Sequence, residues 1–205
     1  MSKTTIPTGG IADDAISEEH LDATALTGNT ALAATPATTD EILISDAGTL
    51  KRLDFNHIFN TPAFFVYADS SQTVSSSTNT KVTLDNESFD TDNAFASNKF
   101  TVPTGEAGKY FFHGQIDCHA NNVSENSISN AHIYKNGNSI IESVVDFRNN
   151  HGRRVSVHVS ATLDLSADDY IELYGNILDT SGDPTFYSTS GGFFTYLTGY
   201  KLIGV

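Results

Sequence analysis

Tryptophan is missing from this 205-residue chain, and cysteine occurs once. The lone Cys118 excludes an internal disulfide framework and reads as a buried free thiol. Basic residues are scarce: 11 Lys and Arg stand against 25 Asp and Glu, for a formal charge of −14. That balance argues against a phosphate-backbone binder, whose affinity comes from Lys and Arg, and against docking on anionic lipid. No apolar run approaches the roughly 18 residues a membrane helix requires. No basic segment leads into an apolar core at the N-terminus, so a Sec signal peptide is not expected. Motifs that carry chemistry are missing as well: the chain has no P-loop, Gly-x-Gly-x-x-Gly, Gly-x-Ser-x-Gly, Cys-x-x-Cys or His-Glu-x-x-His. The expectation is a non-enzymatic protein without a cofactor.

What is abundant is Ser, Thr, Asn and Gly, together with 13 Phe and 8 Tyr. The aromatics are unevenly placed. Residues 1–60 hold Phe55 and Phe59 and no Tyr, and every other aromatic follows. The shift sets a boundary near Asn60-Thr61-Pro62, giving an arm over 1–60 and a head over 61–205.

In the arm, Ile6, Ile11, Ile16, Leu21 and Leu26 recur every five residues. That period fits neither one helix nor one flat strand. So short a segment cannot bury these side chains in itself, so it is either a disordered tail or an arm that buries them against copies of itself or another protein; the regular spacing favours the ordered arm. "AISEEHLDATALTG" reads as a short helix with Ser17 as N-cap and Glu18 and Glu19 in the first turn. "DEILISDAGTLKRLDF" reads as a hairpin turning at Asp46-Ala47-Gly48.

From Pro62 onward, strand-like runs alternate with turn signals such as Asn136-Gly137 and Gly182-Asp183-Pro184. The run "KYFFHGQIDCHA" shows the alternation best. Tyr110, Phe112, Gly114, Ile116 and Cys118 share one face, and Phe111, His113, Gln115, Asp117 and His119 share the other. The fold class expected is all-β: a ten-stranded jelly-roll sandwich.

Four segments in order carry a resemblance. "FTVPTGEAGKYFF" resembles the Phe-x-Val-Pro…Gly-x-Tyr-x-Phe signature of the complement globular-head and tumour-necrosis-factor-like jelly rolls. "TKVTLDNESFDTDNAF" resembles the Asp- and Asn-rich segment preceding it. "SATLDLSADDYIELYG" resembles the family's Leu-x-Leu-x-x-Gly-Asp strand pair, with Asp168 where the family has Gly. "YLTGYKLIG" resembles its final strand, altered at Tyr196 and Thr198. The resemblance implies a homotrimer, with Phe111, His113, Gln115, Asp117 and His119 facing a neighbouring subunit. The arm segments "GGIADDAIS" and "DEILISDAGTLKRLDF" resemble parts of bacteriophage tail-fibre and appendage proteins.

Together these imply a structural component of a phage virion, made in the host cytoplasm. Residues 1–60 would attach to other virion proteins, and the trimeric head would be exposed for host-surface glycan or protein binding. The alternatives are a capsid fibre, decoration or adaptor protein without receptor binding, and a cellular adhesive or ligand-binding module. Receptor contact is expected at Asn149, His151, Arg153 and Arg154, where the arginines either grip an acidic group bidentately or offset nearby Asp146. The strand histidines read as ordinary core or surface residues. The acidic run Asp85 to Asn93 offers oxygen ligands that suit calcium, against a plainer reading as a solvated turn.

Overall fold

The computed structural model describes residues 27–34, 36–37, 39–58, 61–120 and 125–203. The chain parts into two compact units, residues 1–57 and 58–205. The five-residue ladder Ile6, Ile11, Ile16, Leu21 and Leu26 lies outside the described residues, as does nearly all of the helix expected over 15–28.

The described part of the first unit is dominated by a hairpin. Strands β1 (Glu41–Asp46) and β2 (Thr49–Asp54) pair antiparallel from Glu41↔Asp54 to Asp46↔Thr49. Ala47 and Gly48 form the two-residue turn, both with positive φ (49° and 84°). This is the mirror-image turn whose twist matches the flanking strands. A 3-10 turn follows at Phe55–Ile58.

The second unit is a two-sheet β-sandwich. Among the described residues its strands are β3 (Ala63–Tyr67), β4 (Gln72–Thr73), β5 (Thr80–Lys81), β6 (Asn86–Asp90), β7 (Phe95–Ala96), β8 (Lys99–Thr101), β9 (Gly108–His119), β10 (Asn126–Lys135), β11 (Asn138–Asp146), β12 (Arg154–Leu165), β13 (Tyr170–Asp179), β14 (Thr185–Phe186) and β15 (Tyr196–Lys201). Four of these span only two residues, which is why the count exceeds the ten expected.

One sheet centres on β9. Strand β12 pairs along its whole length on one side, while β15 and β14 share the other; β3 then joins β15, β6 joins β3, and β4 joins β14. The second sheet runs β11-β10-β13-β8-β7, with β5 also on β13. All of these pairs are antiparallel, and neighbours such as β9 and β15 are distant in sequence, the mark of a jelly roll.

Period-two alternation builds the core. Tyr110, Phe112, Ile116 and Cys118 of β9 are fully buried, as are Ile133, Ile171, Leu173 and Ile177 from the opposite sheet. The Phe64 ring lies 4.9 Å from Phe100 and 5.5 Å from Phe95, making a stacked aromatic centre. Each such side chain contributes roughly 1.5–3 kcal/mol on burial. Tyr110 keeps its proton, because burial raises its pKa and its hydroxyl donates to the Glu106 carbonyl at 2.6 Å. Burial likewise pushes the Cys118 thiol up to about 12.

Two corners tie the sheets. Asn136 and Gly137, with φ of 52° and 77°, turn β10 into β11. The Asn136 amide then donates to Asp169 at 2.6 Å, and its oxygen accepts the Tyr170 N–H. Asp168 stands at φ 68°, in the left-handed region that favours glycine. Asp tolerates that conformation better than most residues with a Cβ. At Val102-Pro103, the buried Val102 exchanges backbone hydrogen bonds with Asp168 and Asp169, which locks the corner ahead of β9.

The segment from Asp85 to Asn93 is a pairing strand over much of its length. Its residues Asn86–Asp90 form β6, on the edge beside β3. Asp85 accepts the Asp69 N–H and Asp90 accepts the Phe95 N–H, so these carboxylates fasten turns.

Candidate functional site: the outward face of the β9 sheet

The outward side chains of β9 are those of the alternate set, and register places others beside them. Phe111 pairs with Tyr200 and Thr162, His113 with Thr198 and Ser160, and Gln115 with Tyr196 and His158. Strand β3 extends the rows, since Tyr67 pairs with Tyr196 and Phe65 with Thr198. Directly opposite residues share a face. An aromatic field results that draws on β3, β9, β15 and the loop before β15.

Phe65 is its centre. Its ring stacks on Tyr196 at 5.2 Å and meets Phe193 edge-on at 5.2 Å, and Tyr67 meets Phe193 at 4.8 Å. Phe111 packs on Tyr200 at 5.5 Å. Much of this surface stays open: Phe193 is 53% exposed, Phe89 beside Phe65 is 48%, and Tyr200 is 37%. An exposed cluster of large aromatics is the kind of patch that marks an interaction surface.

At one end the face turns polar. Asp117 is only 1% exposed. Arg154, opposite His119 on β12, grips it with two nitrogens: Nε lies 2.9 Å from Oδ1 and Nη2 lies 2.6 Å from Oδ2. The guanidinium also lies 5.0 Å from the Tyr187 ring centroid and 5.3 Å from that of Phe194. This pairing raises the Arg154 pKa. His119 stacks flat on Tyr187 at 4.2 Å, and its Nε2 lies 3.2 Å from Asp117 Oδ1 without the direction of a hydrogen bond. Burial lowers the His119 pKa more than Asp117 raises it, and Arg154 and Arg153 lower it further. Gln115 donates to the Phe194 carbonyl at 2.7 Å, which fixes the loop before β15.

Of the five interface candidates on β9, Phe111, His113, Gln115 and His119 are therefore half-buried on the outward face, and Asp117 is held beneath Arg154. The receptor candidates separate. Asn149 and Arg153 are exposed and His151 is half-buried in the β11–β12 loop, whereas Arg154 belongs to the Asp117 pair. Neither arginine offsets Asp146: Arg148 does, with Nε 2.8 Å from Oδ2. Asp146, Phe147, Arg148, Asn149 and Asn150 line an open depression of about 670 Å³.

Sequence reasoning missed Phe65, Tyr67, Phe193 and Tyr196 as partners of the β9 face. Alternation in "AFFVYA" does place Phe65 and Tyr67 opposite the core residues Phe64 and Val66. Only pairing brings them to β9.

No family model matches the chain, and no curated protein matches it. Solved structures do share its fold. Murine APRIL at pH 5.0 superposes with a TM-score of 0.50 at 13% identity, over 68% of this chain and 98% of that one. The globular domain of zebrafish complement 1qA protein superposes with a TM-score of 0.47 at 15% identity, over 69% of this chain and 98% of that one. The second unit thus shares the jelly-roll sandwich fold of murine APRIL.

Proposed function

We propose that the head is a non-enzymatic binding module that assembles as a homotrimer through the outward face of the β9 sheet. The observation that carries this reading is the aromatic field of Phe65, Tyr67, Phe193, Tyr196 and Tyr200, part-exposed on one sheet face. Covering the still-exposed part of each ring contributes a fraction, about half or less, of the roughly 1.5–3 kcal/mol of full burial. Several per subunit suffice to offset the entropy of association, which is of order 4–15 kcal/mol. Assembly on this face leaves the second sheet and the exposed Asn149 and Arg153 of the β11–β12 loop open to a ligand, a host-surface glycan or protein.

We place the trimer on a phage particle, with residues 1–60 as the attaching arm. The support for that placement is the resemblance of the arm segments to appendage proteins.

Sedimentation equilibrium of the full chain tests the assembly. A mass three times 22.0 kDa is expected, falling to the single-chain value in Phe65→Ser/Tyr196→Ser. A monomeric wild-type chain refutes the reading. Detection of the chain in purified virions tests the placement.

A further inference from the structure

His113 and His158 come from neighbouring strands. The register sets His113 opposite Ser160 and His158 opposite Gln115, so the histidines are diagonal neighbours on the outward face. Their ring centroids are 5.6 Å apart, with the planes at 33°. Among the described residues neither ring has a hydrogen-bond partner, so their nitrogens are not committed to the fold. In the single chain His158 is exposed and His113 half-buried, and β12 flanks β9 on the side away from the aromatic field of β3 and β15, so the pair stays reachable at the margin of that face.

The spacing has a chemical meaning. Two imidazoles bound to one tetrahedral cation at about 2.0–2.1 Å place their ring centroids roughly 5 Å apart. The observed separation is 5.6 Å. The carboxylate nearest along β9, Asp117, is engaged by Arg154. A donor set of imidazole nitrogens without thiolate or carboxylate suits zinc, copper and nickel, and suits calcium and magnesium poorly.

We propose that His113 and His158 form a two-histidine site for a divalent cation of the nickel, copper and zinc group. Solvent completes the coordination, and the site needs no second copy of the chain. It goes beyond the trimer reading and stands on the cross-strand geometry alone.

The test is calorimetric titration of the untagged full chain with Zn²⁺ at neutral pH, with the solution mass recorded on the same samples. One saturable equivalent per chain is expected. His158→Ala and His113→Gln each weaken it by at least about tenfold, because even residues behind a metal ligand are worth that much. The exposed His57→Ala leaves it unchanged. Since His158 is exposed, its variant folds, and circular dichroism confirms this for both. Absence of a saturable site up to millimolar Zn²⁺ overturns the proposal, as does equal binding by His158→Ala. A monomer that binds one Zn²⁺ sinks the trimer reading alone, and a trimer that binds none sinks the metal site alone.

Discussion

Replacing Arg154 with Ala isolates the physics at the polar end of the face. Asp117 is 1% exposed and loses its bidentate partner, leaving Ser156 Oγ at 3.4 Å and His119 Nε2 at 3.2 Å. Removing one member of a fully buried ion pair costs about 3–5 kcal/mol. The Arg154 side chain is 45% exposed, so water can reach the vacated space and the cost falls to about 2–3 kcal/mol. Loss of the contacts with the Tyr187 and Phe194 rings adds roughly 0.5–1 kcal/mol. A total near 3 kcal/mol lowers the melting temperature by about 6–12 °C for a chain of this size. Because the chain lacks tryptophan, unfolding is followed by tyrosine fluorescence and far-ultraviolet circular dichroism in urea. Arg154 also holds the His119 pKa down. In the variant His119 takes up a proton more readily and partly replaces the lost cation, so the deficit shrinks as pH falls towards about 6. Asp117→Asn/Arg154→Met loses less than Arg154→Ala, since no charge is left buried. A loss under about 0.5 kcal/mol in Arg154→Ala would falsify the argument, placing Asp117 in effective contact with water.

Three further outcomes are expected. Gly199→Ala places a Cβ 2.5 Å from the Phe112 ring and costs about 1–3 kcal/mol by overpacking; an unchanged urea midpoint refutes the tight core. Burial is the largest influence on His113, His119 and His132, and each pKa is lowered. The unfolded chain then binds protons first, so their contribution to stability is complete above about pH 6.5 and declines on acidification below it. Urea midpoints that rise through that window overturn this sign. The Asp169 carboxyl is held down to about 2 by hydrogen bonds from Lys135, Asn136 and the Ser166 N–H. Its stabilisation is present above about pH 4 and lost as pH falls from there towards about 2, and Asp169→Asn costs about 1–2 kcal/mol at neutral pH after solvent screening. A variant with the wild-type acid profile refutes that role.

Some features follow from local rules, which read a few residues at a time. Alternation in "KYFFHGQIDC" assigns Tyr110, Phe112, Ile116 and Cys118 to the core, and all four are fully buried. Ala47-Gly48 and Asn136-Gly137 need positive φ at both positions, so their hairpins are legible in the dipeptides. Asp85 to Asn93 misleads because acidic residues depress strand propensity. It pairs nonetheless, since an edge strand can carry polar side chains on its solvent side.

Period two says which residues share a face of one strand, and it is silent on which strands lie side by side. For that reason the sequence by itself determined the sandwich class, the inward residues of β9 and the tight turns. Tertiary structure alone decided that Tyr196 stacks on Phe65, that Arg154 neutralises Asp117 across 37 residues, and that His113 meets His158. Each of those contacts depends on antiparallel pairing between distant segments, whose closure no local preference encodes.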